Sequence, residues 1–125
     1  MAANSLDRFD HWLESLKTLK KYPEIPIFLT IDCHENNSMS QVKLLPKQTE
    51  NFLMIDTIGS HCGIVHLGSE GGKCKTDGLE WDLKGDENLG FGHGSIQSTC
   101  NLVRKNVVKV TTGKDDLLWT CKLKY

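Results

Sequence analysis

The sequence predicts a mainly β domain, an antiparallel β-sandwich or barrel of seven to eight short strands with one N-terminal amphipathic α-helix packed on it. Apolar residues recur at helical spacing only near the start of the chain, and from residue 27 onward they alternate at a period of two. Turn residues bound most of the alternating runs. Because the strands follow one another without intervening helices, an antiparallel arrangement is favoured.

The 125 residues contain no internal repeat and no linker, so a single domain over 1–125 is expected. Its helix is predicted over 5–21 and its antiparallel β-domain over 27–125.

The predicted helix carries Leu6, Phe9, Leu13 and Leu16 on one stripe. Acidic residues lie near its start and lysines near its end, where the helix macrodipole favours them. Pro23 prevents its continuation. Because the polar face mixes both signs of charge, the stripe is expected to pack against the sheet and not on a membrane surface.

The strands are placed by the alternation and by the turn residues between the runs. The run 52–58 is apolar on both faces and is expected to be a central or covered strand. The runs 96–103 and 107–111 are expected to form a hairpin around 104–106. The last run alternates most cleanly and is expected at a sheet edge. In order, the predicted strands lie near 27–33, 39–45, 52–58, 61–67, 79–83, 96–103, 107–111 and 117–125.

Composition excludes several classes of protein. The formal net charge is −1 and 38% of the residues are hydrophobic, which argues against a disordered chain. Basic residues are scattered, and the pairs among them extend into no longer basic run, so no nucleic-acid partner is expected. No apolar run approaches the roughly 20 residues of a membrane helix, so no membrane partner is expected either.

The five cysteines are widely and irregularly spaced. The first residues show neither the basic nor the apolar part of a secretion signal. An odd number of cysteines without such a signal is typical of reduced thiols, and a cytoplasmic or nuclear location is therefore predicted.

Two adjacent pairs, Cys33-His34 and His61-Cys62, are the candidates for metal or catalytic chemistry. Neighbouring residues of a strand face opposite ways, so neither pair is suited to hold one ion, and no metal and no cofactor is predicted. As a thiol–imidazole pair, either could serve a small cysteine/histidine-dependent hydrolase, but no nucleophile elbow is present. An enzyme is therefore the less favoured interpretation.

Two glycine-rich segments, 68–78 and 85–94, flank the run that carries Trp81, and together with that run they hold an acidic cluster. Neither follows a phosphate-binding pattern. Polar loops on a rigid β scaffold are typical of recognition sites. The predicted binding residues are Glu70, Asp77, Trp81, Asp82, Asp86, Glu87, Phe91 and His93.

The favoured function is a non-enzymatic intracellular module that binds another protein through these loops. Self-association through the edge-like last strand is expected to accompany it. The alternatives are the hydrolase and a barrel that binds a small apolar ligand.

Overall fold

The computed structural model of the protein describes residues 8–22, 28–33 and 38–124. In chain order the elements are α1 (Phe9–Lys21), β1 (Phe28–Cys33), β2 (Ser38–Leu45), β3 (Glu50–Met54), β4 (His61–Val65), β5 (Cys74–Asp77), β6 (Ser98–Leu102), β7 (Val107–Thr112) and β8 (Leu117–Lys124).

Within the described residues, all strands pair antiparallel in two sheets. One sheet has the order β1-β2-β8-β4-β6 and the other β3-β7-β5. Buried side chains of both sheets form one core, in which Ile64 and Trp119 of the first sheet pack with Val110 of the second. The predicted mainly β, antiparallel fold is confirmed, and it is a sandwich.

Helix α1 covers the outer face of the five-stranded sheet. Leu16 and Leu19 are buried and form a second apolar cluster with Val42 of β2 and Leu118 of β8. The predicted helix is confirmed from Phe9 onward; Arg8 precedes it with an extended backbone, and the predicted residues 5–7 lie outside the described ones. None of the helical residues described forms a span long and apolar enough to cross a membrane.

The last strand is not an edge strand, contrary to the prediction. β8 pairs with β2 on one side and with β4 on the other. Trp119 faces the core between the sheets and Leu118 faces the helix, so both faces of β8 are covered. The backbone groups of this strand already have partners, and self-association through it has no structural basis.

The predicted hairpin around 104–106 is also wrong. β6 pairs with β4 in the five-stranded sheet, whereas β7 pairs with β3 and β5 in the other sheet. The turn therefore carries the chain from one sheet to the other. Alternation shows which residues face inward, but it does not identify the partner strand.

Three further strand predictions differ from the structure. The strand predicted at 52–58 ends at Met54 and lies at an edge, with Phe52 58% and Met54 78% exposed. A strand that was not predicted, β5, lies inside the expected loop 68–78. The run 79–83 is a turn instead of a strand, with an isolated bridge from Leu79 to Val103.

The acidic turn 84–87 is held by a carboxylate of its own. Glu87 accepts hydrogen bonds from the backbone N–H of Lys84 at 3.0 Å and of Gly85 at 3.1 Å. Partial desolvation raises the pKa of Glu87, but backbone hydrogen bonds, together with one shared with the Asp86 side chain, hold that pKa below its ordinary value. The carboxylate of Glu87 therefore stabilises this turn.

Replacing Trp119 by alanine should lower the free energy of unfolding by about 3–5 kcal/mol, because a buried indole between the sheets leaves a cavity. The matched change Trp81→Ala removes an indole that is 60% exposed and should change stability by about 0.5 kcal/mol or less. Urea unfolding followed by circular dichroism measures both values. Equal losses for the two variants would contradict this placement of the tryptophans.

Replacing Glu87 by glutamine should alter the pH dependence of stability. Since the pKa is lowered in the folded state, the carboxylate stabilises the fold above the unfolded value of about 4.3, and this stabilisation is lost as the pH falls through the folded-state pKa. The difference in unfolding free energy between wild type and Glu87→Gln should thus be present at pH 7 and vanish at low pH. Glu70→Gln, which changes an exposed carboxylate, is the control. A difference that grows on acidification would refute the assignment.

Candidate functional site

An exposed aromatic side chain lies on the turn formed by residues 78–83, which we call the Trp81 turn. Its indole is 60% exposed. The turn follows directly on β5, and its backbone forms hydrogen bonds with β6 and with residues 104 and 105, which follow β6. The turn begins at Gly78, whose φ of +115° is a conformation that side chains rarely adopt. Hydrogen bonds from neighbouring elements hold the backbone that carries this exposed indole.

Asn101 of β6 supplies two of those bonds. Its Oδ1 accepts a hydrogen bond from the Trp81 N–H at 3.1 Å, and its Nδ2 donates one to the Trp81 carbonyl at 2.9 Å. The same Oδ1 accepts from the N–H of Leu102 at 2.9 Å. Asn101 is only 3% exposed, so these bonds are made away from water. The side chain fixes both backbone polar groups of Trp81.

Asp82 and Thr76 hold the turn from its other side. Asp82 Oδ1 accepts from the Thr76 hydroxyl at 2.8 Å and from the Leu79 N–H at 3.0 Å. The Thr76 Oγ1 in turn accepts from the Leu83 N–H at 2.8 Å. The bonds close a ring from β5 across the turn, so the backbone on both sides of Trp81 is fixed.

Charged residues surround the turn. Glu80 forms an ion pair with Arg104 at 2.6 Å, and Asp77 forms one with Lys105 at 2.9 Å. The hydrogen bond to Asp77 raises the pKa of Lys105. These pairs are exposed, and they add order to the rim more than they add stability. Asp82 lies within the same rim.

The predicted binding residues fall into three groups. Asp77, Trp81 and Asp82 belong to the Trp81 turn and its strand, as described. Asp86 and Glu87 belong to the acidic turn after it. The structure therefore brings only part of the predicted set to one place.

The third group, Glu70, Phe91 and His93, lies on two segments that pack on each other. The N–H of Phe91 donates to the carbonyl of Gly68 at 2.9 Å, and Phe91 is 68% exposed. A Cβ at Gly90 would lie 2.3 Å from the Ser69 carbonyl oxygen, so the close approach requires glycine there. Gly90 thus allows the two segments to pack closely on each other.

The alternative catalytic pairs are not brought together as a thiol and a base. Within β4, His61 is exposed and Cys62 is buried, because adjacent residues face opposite sides of the strand. Burial, with a smaller contribution from Cys121, raises the pKa of the Cys62 thiol to about 12, so little thiolate forms at neutral pH. The Cys33 side chain and His34 lie outside the described residues. In the described part of the chain, no three His, Cys, Asp or Glu side chains converge as metal ligands would.

Sequence reasoning included Trp81 among the predicted binding residues but did not single out Asn101. Asn101 occupies an inward-facing position of its strand, two residues before the fully buried Val103. An amide at an inward position of a strand is a signal, because a buried amide needs hydrogen-bond partners. Its partner, however, is 20 residues away in the chain and could not be deduced from the pattern.

Residues 43–117 match a family model described as thiamin pyrophosphokinase, vitamin B1 binding domain. The matched range includes the Trp81 turn and Asn101.

Two relatives from Arabidopsis thaliana agree with this match. The chain is 37% identical over 121 residues to thiamine pyrophosphokinase 1 and 35% identical over 120 residues to thiamine pyrophosphokinase 2. In both cases the alignment covers 94% of this chain and 41% of the relative. The chain thus spans about two fifths of the length of these relatives.

Solved structures share the fold at lower identity. Thiamin pyrophosphokinase from Candida albicans superposes with a TM-score of 0.75 at 16% identity, over 99% of this chain and 45% of that one. The yeast enzyme superposes with a TM-score of 0.75 at 20% identity, over 97% of this chain and 38% of that one. At this identity the likeness shows the fold alone.

These matches contradict the functional predictions. The favoured non-enzymatic protein-binding module, its protein partner, its self-association and the low weight given to an enzyme are wrong, since the relatives are pyrophosphokinases. The hydrolase and the apolar-ligand barrel are likewise overturned. The predictions were based on the presence or absence of catalytic motifs. A domain whose family is defined by ligand binding need not carry such motifs. Through residues 43–117, the chain belongs to the thiamin pyrophosphokinase, vitamin B1 binding domain family.

Proposed function

We propose that this chain binds thiamin and that the exposed indole of Trp81 is the surface on which thiamin stacks. The observation that carries the proposal is an indole 60% exposed on a turn whose backbone is fixed by the buried Asn101. A large rigid side chain on an immobilised backbone loses little entropy when a ligand covers it. Membership of a vitamin B1-binding family, over a range that includes this turn, supports the choice of ligand.

The chemistry of thiamin suits a tryptophan face. The vitamin carries an aromatic aminopyrimidine and a positively charged thiazolium ring. Stacking on an aromatic side chain contributes about 1–3 kcal/mol per heterocycle in comparable sites. A cation over a ring adds attraction that is strongest for tryptophan.

The acidic rim of the turn adds to this preference. Glu80 and Asp82 flank Trp81 in the chain, and both residues are exposed. Glu80 is already paired with Arg104, and Asp82 Oδ1 accepts two hydrogen bonds, so the aspartate supplies the less compensated charge. A cationic ligand is favoured over an anionic one at this position.

The proposal retains Trp81 and Asp82 from the predicted binding residues and adds Asn101 as a positioning residue. The remaining predicted residues lie on the neighbouring strand and turn or on the segments 68–73 and 88–97. The proposal gives them no contact with thiamin.

We infer that the chain serves the reaction named by its relatives, the transfer of a pyrophosphoryl group to thiamin, by recognising thiamin. Since the chain spans 41% of the Arabidopsis relatives, the proposal assigns it no part in binding the pyrophosphoryl donor. Four cysteines of the described residues are free thiols, which supports a reducing compartment, the cytoplasm or the nucleus.

Replacing Trp81 by alanine should weaken thiamin binding by roughly 5- to 30-fold, because the stacking face and its attraction for the cation are lost. Trp81→Phe retains an aromatic face and should lose less. Isothermal titration calorimetry of the full chain with thiamin measures both.

Phe91→Ala is the matched control, since it removes another exposed aromatic side chain on a different segment. It should leave the thiamin affinity unchanged. The proposal fails if wild type shows no heat of binding at millimolar thiamin, or if Trp81→Ala and Phe91→Ala behave alike.

A further inference from the structure

The charges around the proposed thiamin site leave one carboxylate without a cation. Arg104 is paired with Glu80 at 2.6 Å. Lys105 is paired with Asp77 at 2.9 Å. The third carboxylate of the rim belongs to Asp82, and among the described residues no Lys, Arg or His nitrogen lies within ion-pair distance of it.

The nearby ammonium group of Lys105 compensates a different carboxylate first. The pKa of Lys105 is raised mainly by its hydrogen bond and its attraction to Asp77, and only to a smaller extent by Asp82. The rim therefore carries a net negative charge, and Asp82 is its source.

Asp82 is exposed, and its carboxylate is held in place through one of its two oxygens. Oδ1 accepts hydrogen bonds from the Thr76 hydroxyl at 2.8 Å and from the Leu79 N–H at 3.0 Å. In the described part of the chain, neither of these bonds uses Oδ2, and no further donor reaches it. The negative charge is thus fixed in position and open to solvent.

This charge lies next to the stacking surface. Asp82 follows Trp81 in the chain, and Cα atoms joined by a trans peptide bond are about 3.8 Å apart. At physiological ionic strength a charge acts over roughly 8 Å, which is comparable with the distance between neighbouring side chains. A ligand on the indole is therefore subject to the charge of Asp82.

The substrate and the product of the reaction named by the relatives differ in charge but share their rings. Thiamin is a cation because of its thiazolium ring. A phosphate monoester carries a charge of about −1.5 to −2 at pH 7, so thiamin monophosphate is a net anion and the diphosphate is a stronger one. Stacking on an indole is alike for all three, and charge is what distinguishes them.

We propose that Asp82 is a specificity-determining residue, which makes the Trp81 turn favour thiamin over its phosphate esters. The inference rests on the proposed function and deepens it, because it names the residue that separates the substrate from its own product. Affinity should fall in the order thiamin, thiamin monophosphate, thiamin diphosphate. A surface that takes up the vitamin in this way releases the phosphorylated product.

The variant Asp82→Asn tests this directly, because it removes the charge and leaves an Oδ1 that can accept the same two hydrogen bonds. In titration calorimetry of the full chain, it should weaken thiamin binding by about two- to fivefold. It should strengthen thiamin diphosphate binding by at least as much, so that the ratio of the two affinities falls by about tenfold.

Two control variants separate charge from structure. Glu70→Gln removes an exposed carboxylate from another segment and should leave the ratio of affinities unchanged. Thr76→Val removes a hydrogen bond that holds Asp82 but keeps the charge, so it should lower the affinities for thiamin and for thiamin diphosphate together. An equal fall of the ratio in Thr76→Val and Asp82→Asn would refute the role of the charge.

The salt dependence of the wild-type chain gives a second measurement that requires no variant. Since salt screens exposed charges, the preference for thiamin over thiamin diphosphate should shrink as the ionic strength rises. A preference that is independent of salt would overturn the inference even if Asp82→Asn does not fold.

The inference also fails if wild type binds thiamin diphosphate as tightly as thiamin, or if Asp82→Asn shifts both affinities in the same direction. Both results leave the proposed function intact as long as thiamin binding depends on Trp81. If wild type does not bind thiamin at all, the proposed function fails and the inference fails with it.

Discussion

The buried amide of Asn101 is the constraint on which the proposed site depends. An amide side chain that is 3% exposed must find partners, and it finds both backbone polar groups of Trp81. Its bonds tie an exposed turn to the interior of the sandwich. Without them, the N–H and the carbonyl of Trp81 would have to be satisfied by water, and the turn would be held only by the bonds of its neighbours, such as those of Asp82 and Thr76.

The position of Asn101 in turn depends on the five-stranded sheet. Asn101 is opposite Cys62 of β4, and Cys62 is opposite Cys121 of β8. Residues that face each other across antiparallel strands share one face of the sheet, so all three side chains point toward the core. A central β8, covered by the helix on one face and by the second sheet on the other, fixes this row. The stability of the core is thereby linked to the geometry of the site.

Much of the fold follows from local patterns. The helical stripe and most of the alternating runs predicted the helix and the antiparallel class. Strand pairing did not follow, because β6 and β7 are neighbours in the chain but belong to different sheets. Of the site, Trp81 could be predicted as an exposed aromatic residue between polar segments. Asn101 could not, since its role arises from a contact between residues 20 positions apart.

Hydrogen exchange at the backbone N–H of Trp81 tests the central claim most directly. In wild type this amide should exchange more slowly than an amide of an exposed turn usually does, because it donates a hydrogen bond to Asn101 Oδ1. In Asn101→Ala, the Trp81 amide should lose its protection, while amides of the core strand β8 keep theirs under conditions where the variant remains folded. Fast exchange at Trp81 in wild type, or unchanged protection in Asn101→Ala, would contradict the account.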